Sequence, residues 1–174
     1  MAGFTERMVG AATLDVRTYE EVEHDQNATG QAAGVVALVA IASAIGSFGT
    51  GGVFGALGAI VMAFIGWVIW AAITLVIGTK IFDGTADMGE MLRTLGFSQS
   101  VGVIKVLGII PLLGWIASLA AGIWMLVCGV VAVRQALDFT TGKAIGTVLL
   151  GWLAMMVVTL LFGGLFVGMR ALTG

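Results

Sequence analysis

The chain has 174 residues, of which 59% are hydrophobic and only 10% charged, with a formal net charge of −2 and a mean hydropathy of +1.09. A soluble domain carries about a quarter charged residues, so these values exclude an ordinary soluble globule and describe an integral membrane protein. The slight negative balance supplies no basic surface, and no nucleic-acid partner is expected.

The 27 glycines fall mostly within apolar segments, where small residues let helix backbones approach closely in lipid. The single cysteine, Cys128, excludes an internal disulfide and reads as a small apolar packing residue.

Residues 1–29 form a charged arm that holds six of the ten acidic residues. No secretory signal peptide is expected, because the first thirteen residues lack an apolar core and contain Glu6 and Arg7. Phe4, Met8 and Ala11 recur at helical spacing, which predicts a short amphipathic helix on the membrane surface or packed on the bundle. Asp15 is an N-cap candidate for a second helix with Val16, Tyr19 and Val22 along one side. Glu21 and His24 have the E-x-x-H spacing of di-metal bundles. Such a site needs two of these motifs, and His24 is the only histidine, so a solvated polar face is expected and no metal. Asn27-Ala28-Thr29 matches the glycosylation sequon, but the cytoplasmic placement set by the basic residues removes that reading, and Asn27 or Thr29 is expected to cap the first membrane helix.

Five spans follow, at about 30–48, 53–78, 92–110, 115–133 and 144–167. Gly34 with Leu38, Gly55 with Ala59, Gly142 with Gly146 and Gly164 with Gly168 lie four apart, and we expect helix packing there. Trp67 and Trp70 fall within span two and read as bundle packing or a lipid or pigment pocket; Trp124 and Trp152 lie in spans four and five. Asp87, Glu90 and Arg93 occur at helical spacing, which predicts an interfacial helix running into span three. The stretch from span three through span four is too long to cross once, and the only proline, Pro111, with Gly114 and Trp115, marks the tip of a hairpin. Lys105 is the one charge within the hairpin. It serves either an ion or solute pathway or, as we read it, snorkels to an interface about 8 Å away.

The basic residues set the orientation. With the arm inside, Arg7, Arg17, Lys80, Arg93, Arg134 and Lys143 are cytoplasmic and Arg170 alone is outside. The expectation is an all-α polytopic bundle, N-terminus in and C-terminus out, with a membrane domain over 30–170. There is no P-loop, dinucleotide fingerprint, zinc spacing or nucleophile–base pair, so no catalytic residues and no cofactor are expected.

Three stretches carry a family resemblance: Leu92-Arg93 with Leu95-Gly96-Phe97, Ile110-Pro111 with Gly114-Trp115, and Arg134 with Thr141-Gly142-Lys143-Ala144. On these the chain resembles the Yip-domain family of Ypt/Rab-interacting multi-span membrane proteins, and its short arm is similar to that of prokaryotic members. The resemblance implies five spans, a cytoplasmic N-terminus, residence in a prokaryotic inner membrane, and a non-enzymatic role through partner or lipid contacts. The acidic DLYGP-type arm motif of eukaryotic members is missing, so GTPase binding is not expected. Expected partners are membrane lipids and other membrane proteins. The candidate functions are a scaffold, an accessory subunit of a larger membrane complex, or a small-solute or ion pathway.

Overall fold

The computed structural model describes residues 2–46, 52–110 and 112–173, with the backbone alone for 52–56 and 162–173. The elements in order are α1 (Phe4–Ala12), α2 (Val16–His24), α3 (Ala28–Gly46), α4 (Gly52–Ile81), α5 (Met88–Ser98), a 3-10 helix (Ser100–Ile109), α6 (Leu113–Ala136) and α7 (Thr141–Thr173).

Local chemistry sets the starts of the short helices. The Glu6 carboxylate accepts the Gly3 N–H at 2.8 Å, and the Asp15 carboxylate accepts the Arg17 N–H at 3.1 Å. Asp87 and Glu90 form a reciprocal capping box, both bonds 2.8 Å, which starts α5 sharply. Turns reverse at residues with positive φ: Leu14, Asp83, Leu112 and Asp138. Aspartate tolerates that region; leucine at 65° and 68° is strained there.

Among the described residues, four helices are long and apolar enough to cross a membrane: Ala28–Gly46, Leu57–Ile81, Leu113–Ala136 and Thr141–Leu161. The protein is therefore a polytopic helical bundle. These four match four of the five anticipated spans; residues 92–110, expected as the third, form no single helix long enough to cross. α5 stops at Gln99 and the chain continues as a ten-residue 3-10 helix. At ~1.5 Å per α residue and ~2.0 Å per 3-10 residue, the two pieces over 92–109 laid end to end would measure roughly 30 Å.

Glycine contacts fix the course of this tandem. A Cβ on Gly96 would lie 2.7 Å from that of Ala32, one on Gly102 would strike Val39, and one on Gly108 would lie 2.8 Å from the Gly46 carbonyl oxygen. Rising numbers in the tandem thus follow rising numbers in α3, and the two run parallel. α6 returns antiparallel, with Gly114 against Gly108 and Met125 beside Gly102. Three residues per turn place Gly102, Lys105 and Gly108 in one row. That row lets the backbone reach α3 closely, which a continuous α-helix would not.

α5 is packed among the other helices rather than lying on the bundle surface. Residues 93–98 are all buried, and α5 packs against α1, α2, α3, α4 and α6. The main core gathers round it and includes Ala11, Tyr19, Ala32, Trp67, Leu95, Ala132 and Val148, so every α-helix contributes. The arm is part of this core: α1 and α2 form a hairpin closed by the Tyr19 hydroxyl donating to the Ala11 carbonyl at 3.0 Å. The outer faces of α4 and α7 stay apolar and exposed, with Val61, Met62, Val76, Trp152 and Leu160 among them.

Candidate functional site

The first polar cluster lies where the arm meets the bundle. Phe4, Arg7, Met8 and Ala11 follow the i, i+3, i+4, i+7 pattern, so Arg7 is carried on the inward stripe of α1 and is only 1% exposed. One guanidinium nitrogen donates to Glu21 at 2.8 Å and Asp25 at 2.7 Å, and the other donates to Gln31 at 3.0 Å. One side chain thereby ties α1 to α2 and to the start of α3. These bonds from Arg7 hold the Glu21 and Asp25 carboxyls below the usual carboxylate range.

Arg93 makes the second anchor. Its guanidinium donates to the Val22 carbonyl at 3.0 Å and to the Glu23 carbonyl, covering the C-terminal turn of α2. A cation is favoured there by the helix dipole and by carbonyls that lack helical partners. Further along the arm, the Trp124 indole donates to the Ala12 carbonyl at 2.7 Å and the Gln135 amide donates to Glu20 at 3.0 Å.

Glu23, whose backbone carbonyl Arg93 holds, is 7% exposed. Burial pushes its carboxyl up to about 7; Glu90, Asp138 and Glu20 add to the rise and His24 opposes it. His24 is exposed and its Nδ1 lies 2.9 Å from the Glu20 carbonyl. No group of three or more metal-ligating side chains occurs among the described residues. Asp25, rather than Asn27 or Thr29, turns the chain into α3: it accepts the Asn27 N–H at 3.0 Å, and its carbonyl accepts the Ala28 N–H at 2.8 Å.

The second polar feature is a cavity of about 230 Å3 inside the bundle, lined by Trp70 of α4, Leu95, Ser98 and Gln99, Lys105 of the 3-10 helix, and Gly122, Met125 and Leu126 of α6. Lys105 is half-buried, and its ammonium forms no ion pair or hydrogen bond among the described residues. The wall holds no acid.

The remaining sequence candidates scatter. Leu38 is not a small residue; it is 42% exposed and gives Gly34 no packing partner, while Phe4 covers Gly34 at 3.7 Å. Ala59 is exposed, a Cβ on Gly142 would meet open space, and one on Gly146 would lie 3.0 Å from Phe82. Gly55, Gly164 and Gly168 are helical, but their surroundings lie outside the described residues, as does Pro111 entirely. At the hairpin tip Gly114 is buried against Gly108 and Trp115 is 69% exposed. The Trp67 indole donates to the Leu92 carbonyl at 3.1 Å, and Trp152 lies outward. Sequence reading missed Arg7 and Arg93 as anchors, and it missed Gly46, Gly102 and Gly108 as the close contacts. The place of Arg7 on the apolar stripe was the available signal.

Four helices long and apolar enough to cross a membrane among the described residues, the tandem of α5 and the 3-10 helix, and a docked amphipathic arm define a polytopic helical membrane protein. A family model described as the Yip1 domain matches residues 16–163. The chain belongs to the Yip1-domain family, and the matched region includes α2 of the arm. Comparison with curated proteins and with solved structures gives no match.

Proposed function

We propose that the protein is a non-enzymatic membrane organiser, presenting a fixed polar platform at one end and apolar helix faces to lipid or partner helices. The observation that carries this reading is the double anchoring of the arm by Arg7 and Arg93. A tethered tail would expose a changing surface; this arm holds the exposed Thr5, Glu6 and Arg17 in place, with Glu20 tied to Gln135. The platform faces the cytoplasm. Supporting this, Arg93 meets Glu23, Lys143 meets Phe82 and Gln135 meets Glu20, which gathers the basic residues at the arm's end as the positive-inside rule requires. The exposed faces of α4 and α7 favour a second reading, an accessory subunit seated against other membrane helices.

One cysteine tests both orientation and partnership. With Cys128→Ala as background, Glu20→Cys should resist an impermeant maleimide on intact cells and react once they are opened. A thiol-reactive cross-linker at the same position, followed by mass analysis, should return the same partner in repeated preparations from native membrane. Labelling of intact cells would reverse the orientation, and a chain that never cross-links would remove the platform reading.

A further inference from the structure

The cavity around Lys105 has a chemistry that the platform reading does not use. Lys105, Gln99 and Trp70, which carry an ammonium, an amide and an indole N–H, line one small space, and none of these groups donates to a protein acceptor among the described residues. Ser98 cannot supply a counter-charge; its hydroxyl already donates to the Leu95 carbonyl at 2.8 Å. Donors without an acceptor, beside a cation without an anion, form a wall that fits an oxyanion. The remaining lining is apolar: Leu95, Met125 and Leu126, with Gly122 flat against the space. Leu126 is 49% exposed, so the cavity opens on the outer surface of the bundle at α6.

We propose that this cavity binds the anionic head of an acyl-chain amphiphile, with Lys105 as its counter-ion, Gln99 and Trp70 as neutral donors, and the chain leaving past Leu126. The shared chemistry is a carboxylate or phosphate oxyanion on an acyl chain; a fatty acid and an anionic phospholipid both supply it. An intramembrane cation is tolerated where it is paired, and the ligand provides the pair that the protein lacks.

The test measures retention of radiolabelled oleate, dioleoylphosphatidylglycerol and dioleoylphosphatidylcholine by the purified full chain in dodecyl maltoside. Wild type should retain close to one equivalent of an anionic amphiphile and little phosphatidylcholine. Selective uptake of oleate would assign a carboxylate head, and selective uptake of phosphatidylglycerol a phosphate head. Lys105→Met should weaken retention at least ten-fold, while Lys80→Met, at an exposed lysine, should leave it unchanged. Gly122→Leu separates occupancy from folding, because a Cβ there meets nothing within 4 Å. It should fill the cavity, preserve the melting temperature and abolish retention. Equal retention by wild type, Lys105→Met and Gly122→Leu, or a preference for phosphatidylcholine, would overturn the proposal.

Discussion

Arg7 shows how much one residue decides here. Its fork reaches two carboxylates and an amide from a position almost closed to solvent, and a lysine has no second donor plane to do the same. Removing one member of a buried ion pair strands the others. Arg7→Met should lower stability in detergent by about 3 kcal/mol, the low end of the usual cost, because Glu21 keeps a third of its side chain exposed. Thermal melting checks this. Arg17→Ala, which breaks only the exposed pair with Asp15, should leave the melting point unchanged. The amphipathic pattern of α1 was legible in the sequence; the role of Arg7 was not, because its partners lie 14 to 24 residues away.

At the scale of elements, hydropathy located α3, α4, α6 and α7 to within a few residues at the ends where their bounds are set, because long apolar runs have no other use. It also marked residues 92–110 as apolar, but could not tell a 3-10 helix from an α-helix, since both are equally apolar. The difference rests on Gly102 and Gly108 sharing a row, and a row exists only once the period is known. Gly46 and Gly108 meet backbone to backbone, so an added methyl group strikes atoms that cannot turn aside. Gly46→Ala and Gly108→Ala should each cost about 1–3 kcal/mol of stability. Gly142→Ala, with open space at its Cβ, should be neutral or slightly stabilising through helix propensity. A melting series of the three variants decides whether spacing alone or the actual close contact governs glycine in this bundle.

For the molecule as a whole, the arm belongs to the fold. Composition marks residues 1–29 as a separate charged region, and its burial becomes visible only when Tyr19, Val22 and Ala11 are found in the common core. The burial has a consequence for pH. Because the folded protein holds the Glu23 carboxyl at about 7, it retains a proton that the unfolded chain has released above the ordinary carboxylate range. Stability therefore falls as pH rises from that range to about 7. His24 acts in the same direction, its pKa raised by the Glu20 carbonyl and by the charge of Glu23. The melting temperature should be higher at pH 5 than at pH 8, and Glu23→Gln should remove most of that difference. An unchanged slope in the variant would assign the effect elsewhere.

The 3-10 helix behind the hairpin tip is also a spacer cut to length. Wound as an α-helix, its ten residues would be about 5 Å shorter, and Gly108 would swing about 120° round the axis relative to Gly102. The tip would draw inward while the glycine row opened into a spiral, losing Gly46 on one side and Gly114 on the other. Reach along the helix axis and close contact sideways are thus set by a single backbone choice, so the two cannot be tuned apart by changing side chains alone.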